Sequence, residues 1–323
     1  VSPDGKYILL STIQKPFSYI VPLYRFPQKE TVYDLQGKEI KTVNQTPLVE
    51  IIPKGFGAVP AGKRNMAWRA DKPATLYYVE ALDKGDPANK VEFRDEVFVW
   101  DAPFAQPAVS LAKTQQRYSG VTWGNATTAI LYDGWYETRN SKTYLINPSQ
   151  PGATPQKIFD RNYQDIYSNP GSFETRENEY GRQVLAIENG NAFLIGAGFT
   201  KEGQYPFIDA FDLKTFKTKR LYQSTAKDQK EDIFSIEDFK SGVALVQLQS
   251  KTDYPNYYFR NYKKKTAPLQ ITFNKNPFEA IKNVHKEVIK YKRADGVDLS
   301  GTLYLPLGYD RNKKEKLPLL IWA

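Results

Sequence analysis

A phrase of alternating apolar residues that closes on Asp or Asn and runs into a turn occurs five times in this 323-residue chain. Its copies are Thr31-Val32-Tyr33-Asp34, Val97-Phe98-Val99-Trp100-Asp101, Tyr144-Leu145-Ile146-Asn147, Ile208-Asp209-Ala210-Phe211-Asp212 and Tyr257-Tyr258-Phe259-Arg260-Asn261. Alternation at period two marks a half-buried strand, and a closing Asp or Asn favours a turn. The mean spacing is about 57 residues. That is longer than the ~40–50 residues of the regular four-stranded repeats, and insertions in some units would account for the excess.

A second phrase falls between these copies. Ser2-Pro3-Asp4-Gly5-Lys6 turns into Tyr7-Ile8-Leu9-Leu10; Trp68-Arg69-Ala70-Asp71-Lys72-Pro73-Ala74 turns into Thr75-Leu76-Tyr77-Tyr78-Val79; Trp123-Gly124-Asn125 leads to Ala129-Ile130-Leu131-Tyr132. Later copies use Asn189-Gly190, between 184–187 and 192–195, and Ser241-Gly242 before 243–248, where glycine supplies a positive φ at no steric cost. An inner hairpin followed by an outer hairpin makes four strands, one blade of a β-propeller, and blades set in a ring leave only short sheet edges. The expected fold is therefore all-β: a β-propeller over residues 1–275, with about five four-stranded blades of a seven- or eight-bladed ring, the first incomplete on its N-terminal side. A two-sheet sandwich is the competing architecture, but it has no need of one long unit five times over.

From Asn276 the pattern changes. Pro277-Phe278-Glu279-Ala280-Ile281 reads as a short helix or linker, and 287–292 and 299–305 read as a hairpin around Asp295-Gly296. Leu317-Pro318-Leu319-Leu320-Ile321-Trp322 is almost continuously apolar, as in a strand buried on both faces. Residues 276–323 are thus expected to be a linker and the first strands of a second, α/β domain that stops short at Ala323.

Twenty-two Tyr and 18 Phe suit half-buried strands. With no cysteine, disulfides and thiolate metal sites are excluded, and both a periplasmic and a cytoplasmic home are compatible. No run reaches the roughly 18 apolar residues of a membrane-spanning helix, and no targeting segment is present in the chain. Lys and Arg exceed Asp and Glu by 45 to 36, which raises the local concentration of anionic partners. The runs Lys263-Lys264-Lys265 and Lys313-Lys314 sit in turn-like contexts and read as solvated surface.

Four motifs invite other chemistries. Gly57-Ala58-Val59-Pro60-Ala61-Gly62-Lys63-Arg64 imitates a phosphate loop, yet Arg64 stands where Ser or Thr would hold magnesium and strand-like sequence follows, so it reads as a loop between strands. Gly196-Ala197-Gly198 lacks the third glycine and the helix of a dinucleotide site. Glu174, Glu177 and Glu179 could pair as glycosidase carboxylates but read as a solvated loop. Aromatics interleaved with cations at 257–265 could stack on a nucleic-acid strand, but they repeat the strand phrase of the other units, so no nucleic-acid partner is expected.

The string 288–306, Val-Ile-Lys-Tyr-Lys-Arg-Ala-Asp-Gly-Val-Asp-Leu-Ser-Gly-Thr-Leu-Tyr-Leu-Pro, resembles the opening of the hydrolase domain in serine peptidases of the prolyl-oligopeptidase type. Ser2-Pro3-Asp4-Gly5-Lys6-Tyr7 with Pro16-Phe17-Ser18-Tyr19, and the stretch from Trp68 to Tyr77, look most like their glutamyl endopeptidase branch. The resemblance implies a propeller that gates peptide access to an α/β-hydrolase site, a peptide substrate cleaved after Glu, and a Ser-His-Asp mechanism without a cofactor. None of that machinery can be placed in this chain. Gly-x-Ser-x-Gly does not occur, and the single histidine, His285, precedes the hydrolase strands and reads as a linker or surface residue. No catalytic, cofactor-binding or metal-binding residue is therefore assigned, and the chain alone is expected to be inactive, its natural partner being the missing hydrolase domain. The alternative reading is a stand-alone propeller that binds proteins or ligands as a scaffold.

Overall fold

The computed structural model describes every residue except Lys227, Lys265, Lys314 and Ala323. The last members of both basic runs thus lie outside the described residues. The chain separates into two compact units, Val1–Ser224 and Thr225–Ala323.

The first unit holds four antiparallel sheets in chain order. The first is three-stranded: β1 (Tyr7–Ile13), β2 (Gln28–Asp34) and β3 (Glu39–Thr46). Next come β4 (Arg64–Trp68), β5 (Thr75–Ala81), β6 (Asp95–Asp101) and β7 (Val109–Thr114), then β8 (Arg117–Asn125), β9 (Thr128–Trp135), β10 (Asn140–Ile146) and β11 (Gln156–Asn162). The fourth sheet is β12 (Ser172–Phe173), β15 (Asn191–Gly196), β16 (Phe207–Asp212) and β17 (Thr218–Gln223), interrupted by a separate hairpin of β13 (Thr175–Glu177) and β14 (Gln183–Leu185). The second unit contains the meander β18 (Lys230–Asp238), β19 (Val243–Gln249), β20 (Asn256–Asn261) and β21 (Leu269–Gln270), a 3-10 turn at Glu279–Ile281, and the hairpin β22 (His285–Lys292) with β23 (Asp298–Leu305). The fold is all-β and of the propeller type, built from blade-like antiparallel meanders.

The five repeated phrases fall in β2, β6, β10, β16 and β20, the next-to-last strand of each sheet. Their closing residue has a structural task. Asp34 Oδ1 accepts the amides of Gln36 at 3.0 Å and Lys38 at 2.9 Å. Asn147, Asp212 and Asn261 likewise accept the amide two residues on, so a side chain opens the outer hairpin in four of five copies. Asp101 instead takes the Thr75 hydroxyl at 2.5 Å.

Period two explains how the sheets of the first unit stack. On β5, Leu76 and Tyr78 pack with Val32 and Val43 of the sheet before, while Tyr77 and Val79 join a cluster with Trp123, Ala129 and Leu131 of the sheet after. On β9 the rule repeats: Ala129 and Leu131 face back, while Ile130 and Tyr132 pack with Leu185 and Ala192 of the next repeat. A strand buried on both faces loses its polar alternation, and each interior sheet is held between two neighbours by apolar burial.

Two expectations are corrected. Residues 184–187 do not pair with 192–195; beside the turn only Glu188 bridges Asn191 at the start of β15. The turn forms, with both residues at positive φ, but β15 pairs with β12, and β14 pairs with β13. Val184, Leu185 and Ala186 are buried in succession, and Leu185 and Ile187 pack over the bare Cα of Gly124; apolar contact with the preceding sheet draws the segment out of its own. Second, residues 317–322 form no strand, and Leu320 and Trp322 are 88% and 94% exposed. A lone extended segment has no neighbour among the described residues to satisfy its backbone groups or cover its side chains.

Candidate functional site: a cation-lined cavity

In the first unit, the connections at 14–27, 47–63 and 82–94 emerge at the same end of the first two sheets. A cavity of about 670 Å³ opens among them. The 47–63 loop is clamped at several points. Val49 N donates to Arg25 O at 2.9 Å and Val59 N to Gly85 O at 3.1 Å; Phe56 stacks on Tyr136 at 3.9 Å; and Gly57 lies against the Trp135 ring, where a Cβ would come within 3.3 Å. Gly85 must be glycine, because its φ is +78° and a Cβ would stand 2.0 Å from Val59 O.

Four cations, Arg25, Lys63, Arg64 and Lys84, line the cavity against two carboxylates, Glu30 and Glu50. Lys63 and Arg64 enter from the start of β4, where the β4–β5 register shifts between Arg64 and Ala67 and Asn65 sits at φ 55°. Such an irregularity re-aims side chains. Lys63 Nζ donates to Val43 O at 3.0 Å and lies 4.8 Å from the Tyr78 and Trp100 rings. Burial lowers the Lys63 pKa from its ordinary value, and nearby Lys41 adds to this while Glu80 and Glu30 oppose it.

Behind the cavity lies a buried ionic lattice. Arg117 Nη2 donates to Asp83 Oδ2 at 2.7 Å, Nη1 to Asp95 Oδ1 at 2.8 Å, and Nε to Gly57 O at 2.8 Å. Arg94 Nη1 adds a bond to Asp83 at 2.8 Å while its guanidinium lies 3.9 Å over Trp135. Arg64 Nη2 meets Asp95 Oδ2 at 2.5 Å, but its Nη1 is buried with no hydrogen-bond partner. Burial alone would raise the Asp83 pKa; the bonds and charge of Arg117, with Arg94 and the Gly85 amide, outweigh it and hold the carboxyl below its ordinary range.

The cavity wall has no Ser, His or Cys, and its charged groups are the four cations and two carboxylates. His285 stands half-exposed on β22, its Nε2 3.2 Å from both Glu287 Oε2 and Arg311 Nη2. Glu177 and Glu179 are exposed and Glu174 half-buried. Gly196 and Gly198 serve close packing: a Cβ would fall 2.2 Å from the Phe207 ring at one and 1.8 Å from Tyr205 O at the other. Among the described residues, no group of three His, Cys, Asp or Glu is placed to hold a metal, and no helix is long and apolar enough to cross a membrane. The phosphate-loop imitation at 57–64 is a loop between strands, as its sequence suggests, yet it delivers two of the four cations. Its Lys63-Arg64 pair ahead of a strand was the available signal.

No family model matches the chain. Along its whole length it is 38% identical, over 338 residues, to a probable chloroplastic glutamyl endopeptidase of Oryza sativa subsp. japonica, of which it covers 36%. The chain is homologous to a part of this probable glutamyl endopeptidase. The corresponding Arabidopsis thaliana protein is 37% identical over 342 residues, again along the whole chain and 35% of the relative. The chain thus spans about a third of the length of the curated relatives it matches. Among solved structures, oligopeptidase B from Trypanosoma brucei aligns with 95% of the chain and 46% of its own, at 10% identity and a TM-score of 0.44. Acylaminoacyl peptidase of Pyrococcus horikoshii aligns with 94% of the chain and 42% of its own, at 12% identity and the same TM-score.

Proposed function

We propose that this chain is the propeller region of a serine peptidase that cleaves after Glu, and that its blades restrict access of peptides to an α/β-hydrolase site supplied by further sequence. Residues 1–275 form the propeller in this reading, and 276–323 the passage into the hydrolase. The observation that carries it is the identity of 38% to a probable glutamyl endopeptidase along the whole chain. The 288–306 string and the cation-lined cavity support it. The chain's own contribution is selection: it presents no Gly-x-Ser-x-Gly, and the clamped loops form a rigid wall for an extended peptide. Gating is tested in the full-length protein with one cleavable sequence offered twice, as a short peptide and within a folded domain. Cleavage of the short peptide alone is expected; equal rates on both would refute gating. The 323-residue chain should hydrolyse neither and should not react with a fluorophosphonate.

A further inference from the structure

The geometry points to the 670 Å³ cavity as a binding site for carboxylate side chains of an acidic peptide, separate from whatever pocket holds the residue at the cleaved bond. This rests on the peptidase reading for its choice of ligand, but the site itself is argued from its wall.

The wall carries more positive than negative side chains, and three of its cations keep donors to spare. Lys63 spends one of its three N–H groups on Val43 O. Arg64 engages Asp95 through Nη2, while the buried Nη1 makes no bond, and an unsatisfied buried donor costs free energy. Lys84 sits in the turn that opens the 82–94 connection, at φ 59°, beside the Gly85 amide bond to Asp83 Oδ1, and among the described residues no carboxylate forms an ion pair with it. Asp83 is held by Arg117 and Arg94 and Asp95 is shared between Arg117 and Arg64 Nη2, so Asp95 offsets Arg64 in part while neither carboxylate is bonded to Lys63 or Lys84. The lining between the cations is largely apolar, with Pro47, Leu48, Ile52 and Pro60. A bare inorganic anion would leave that surface wet. An extended peptide would place its carboxylates on the cations and cover the prolines and aliphatics, and the volume falls within the range of sites that enclose ligands. The loop clamps pre-organise the site, so little ordering accompanies binding.

The test is fluorescence anisotropy of two labelled peptides on the 323-residue chain, Ala-Glu-Ala-Glu-Ala and its Gln counterpart. The Glu peptide should bind about tenfold more tightly, the discrimination one charge-assisted hydrogen bond provides. Lys63→Met and Lys84→Asn should each weaken the Glu peptide about fivefold or more and leave the Gln peptide unchanged; Lys63→Arg should keep most of the affinity, and Lys219→Gln on β17 should have no effect. Lys84→Asn suits the positive φ and remains informative if Lys63→Met misfolds. Equal binding of both peptides, or indifference to both substitutions, overturns the site. Displacement of the Glu peptide by inorganic phosphate at equal concentration would also overturn it, since the wall would then serve a free anion. Catalysis is not measured, so loss of this site leaves Glu-directed cleavage by the full-length protein standing, and absence of that cleavage leaves the binding result standing.

Discussion

Replacing Arg117 with Met should destabilise the first unit by about 3 kcal/mol. The side chain loses its bonds to Asp83, Asp95 and Gly57 O, and both carboxylates are fully buried, at 0% exposed side-chain area. Breaking one partner of a buried pair costs about 3–5 kcal/mol, because a charge is left without compensation. The low end applies here, since Asp83 keeps Arg94 and the Gly85 amide and Asp95 keeps Arg64 and the Tyr118 amide. Arg117→Lys keeps the charge but cannot span both carboxylates and the Gly57 carbonyl, so it should recover only part of the loss. The assay is urea unfolding followed by far-UV circular dichroism and by tryptophan fluorescence, with Trp135 beside the lattice as a local reporter. An unchanged m-value with a lower midpoint is expected. A loss under about 1 kcal/mol, the scale of an exposed ion pair, would refute the claim that this lattice holds the cavity's back wall.

Further outcomes follow from the same contacts. Because the Asp83 pKa is depressed in the folded chain, its stabilisation is complete above the ordinary value of 3.8 and is lost as pH falls through the folded value; acid titration of Asp83→Asn should lack that component. Asp133 behaves oppositely. Burial raises its pKa despite bonds from the Gln116 amide and Tyr144, so the contribution of the protonated carboxyl is present below 3.8 and lost as pH rises through the folded value, and Asp133→Asn should flatten that fall. Gly85→Ala forces a side chain to positive φ against Val59 O, costing about 1–3 kcal/mol and raising the rate of proteolysis within 47–63. Fluorophosphonate labelling of the 323-residue chain should be absent.

Much of the fold was legible because its physics is local. The Asp or Asn that closes each phrase is visible in the sequence, and four of the five accept the turn amides that start the outer hairpin. The inner hairpins at Trp68–Val79, Trp123–Tyr132 and Ser241-Gly242 were equally readable from turn residues beside alternating strands. What failed depended on distant partners. Asn189-Gly190 predicts a turn correctly but cannot say that Leu185 finds Gly124 more rewarding than its neighbour in chain order. The run at 317–322 shows strand character, yet a strand exists only beside another strand. The cavity was hidden for a related reason: Arg25, Lys63 and Lys84 lie far apart in sequence, and only the bulge after Arg64 and the clamps on 47–63 bring them together. Isolated basic residues in loops look alike whether they face solvent or a cavity.

The most direct test of the central claim is the specificity of the full-length protein on matched peptides bearing Glu, Gln, Pro or Ala before the scissile bond, at low and high salt. The account expects kcat/KM for Glu to exceed that for Gln at both, because a desolvated carboxylate contact persists where long-range steering is screened. Preference for Pro, or parity between Glu and Gln, would contradict it.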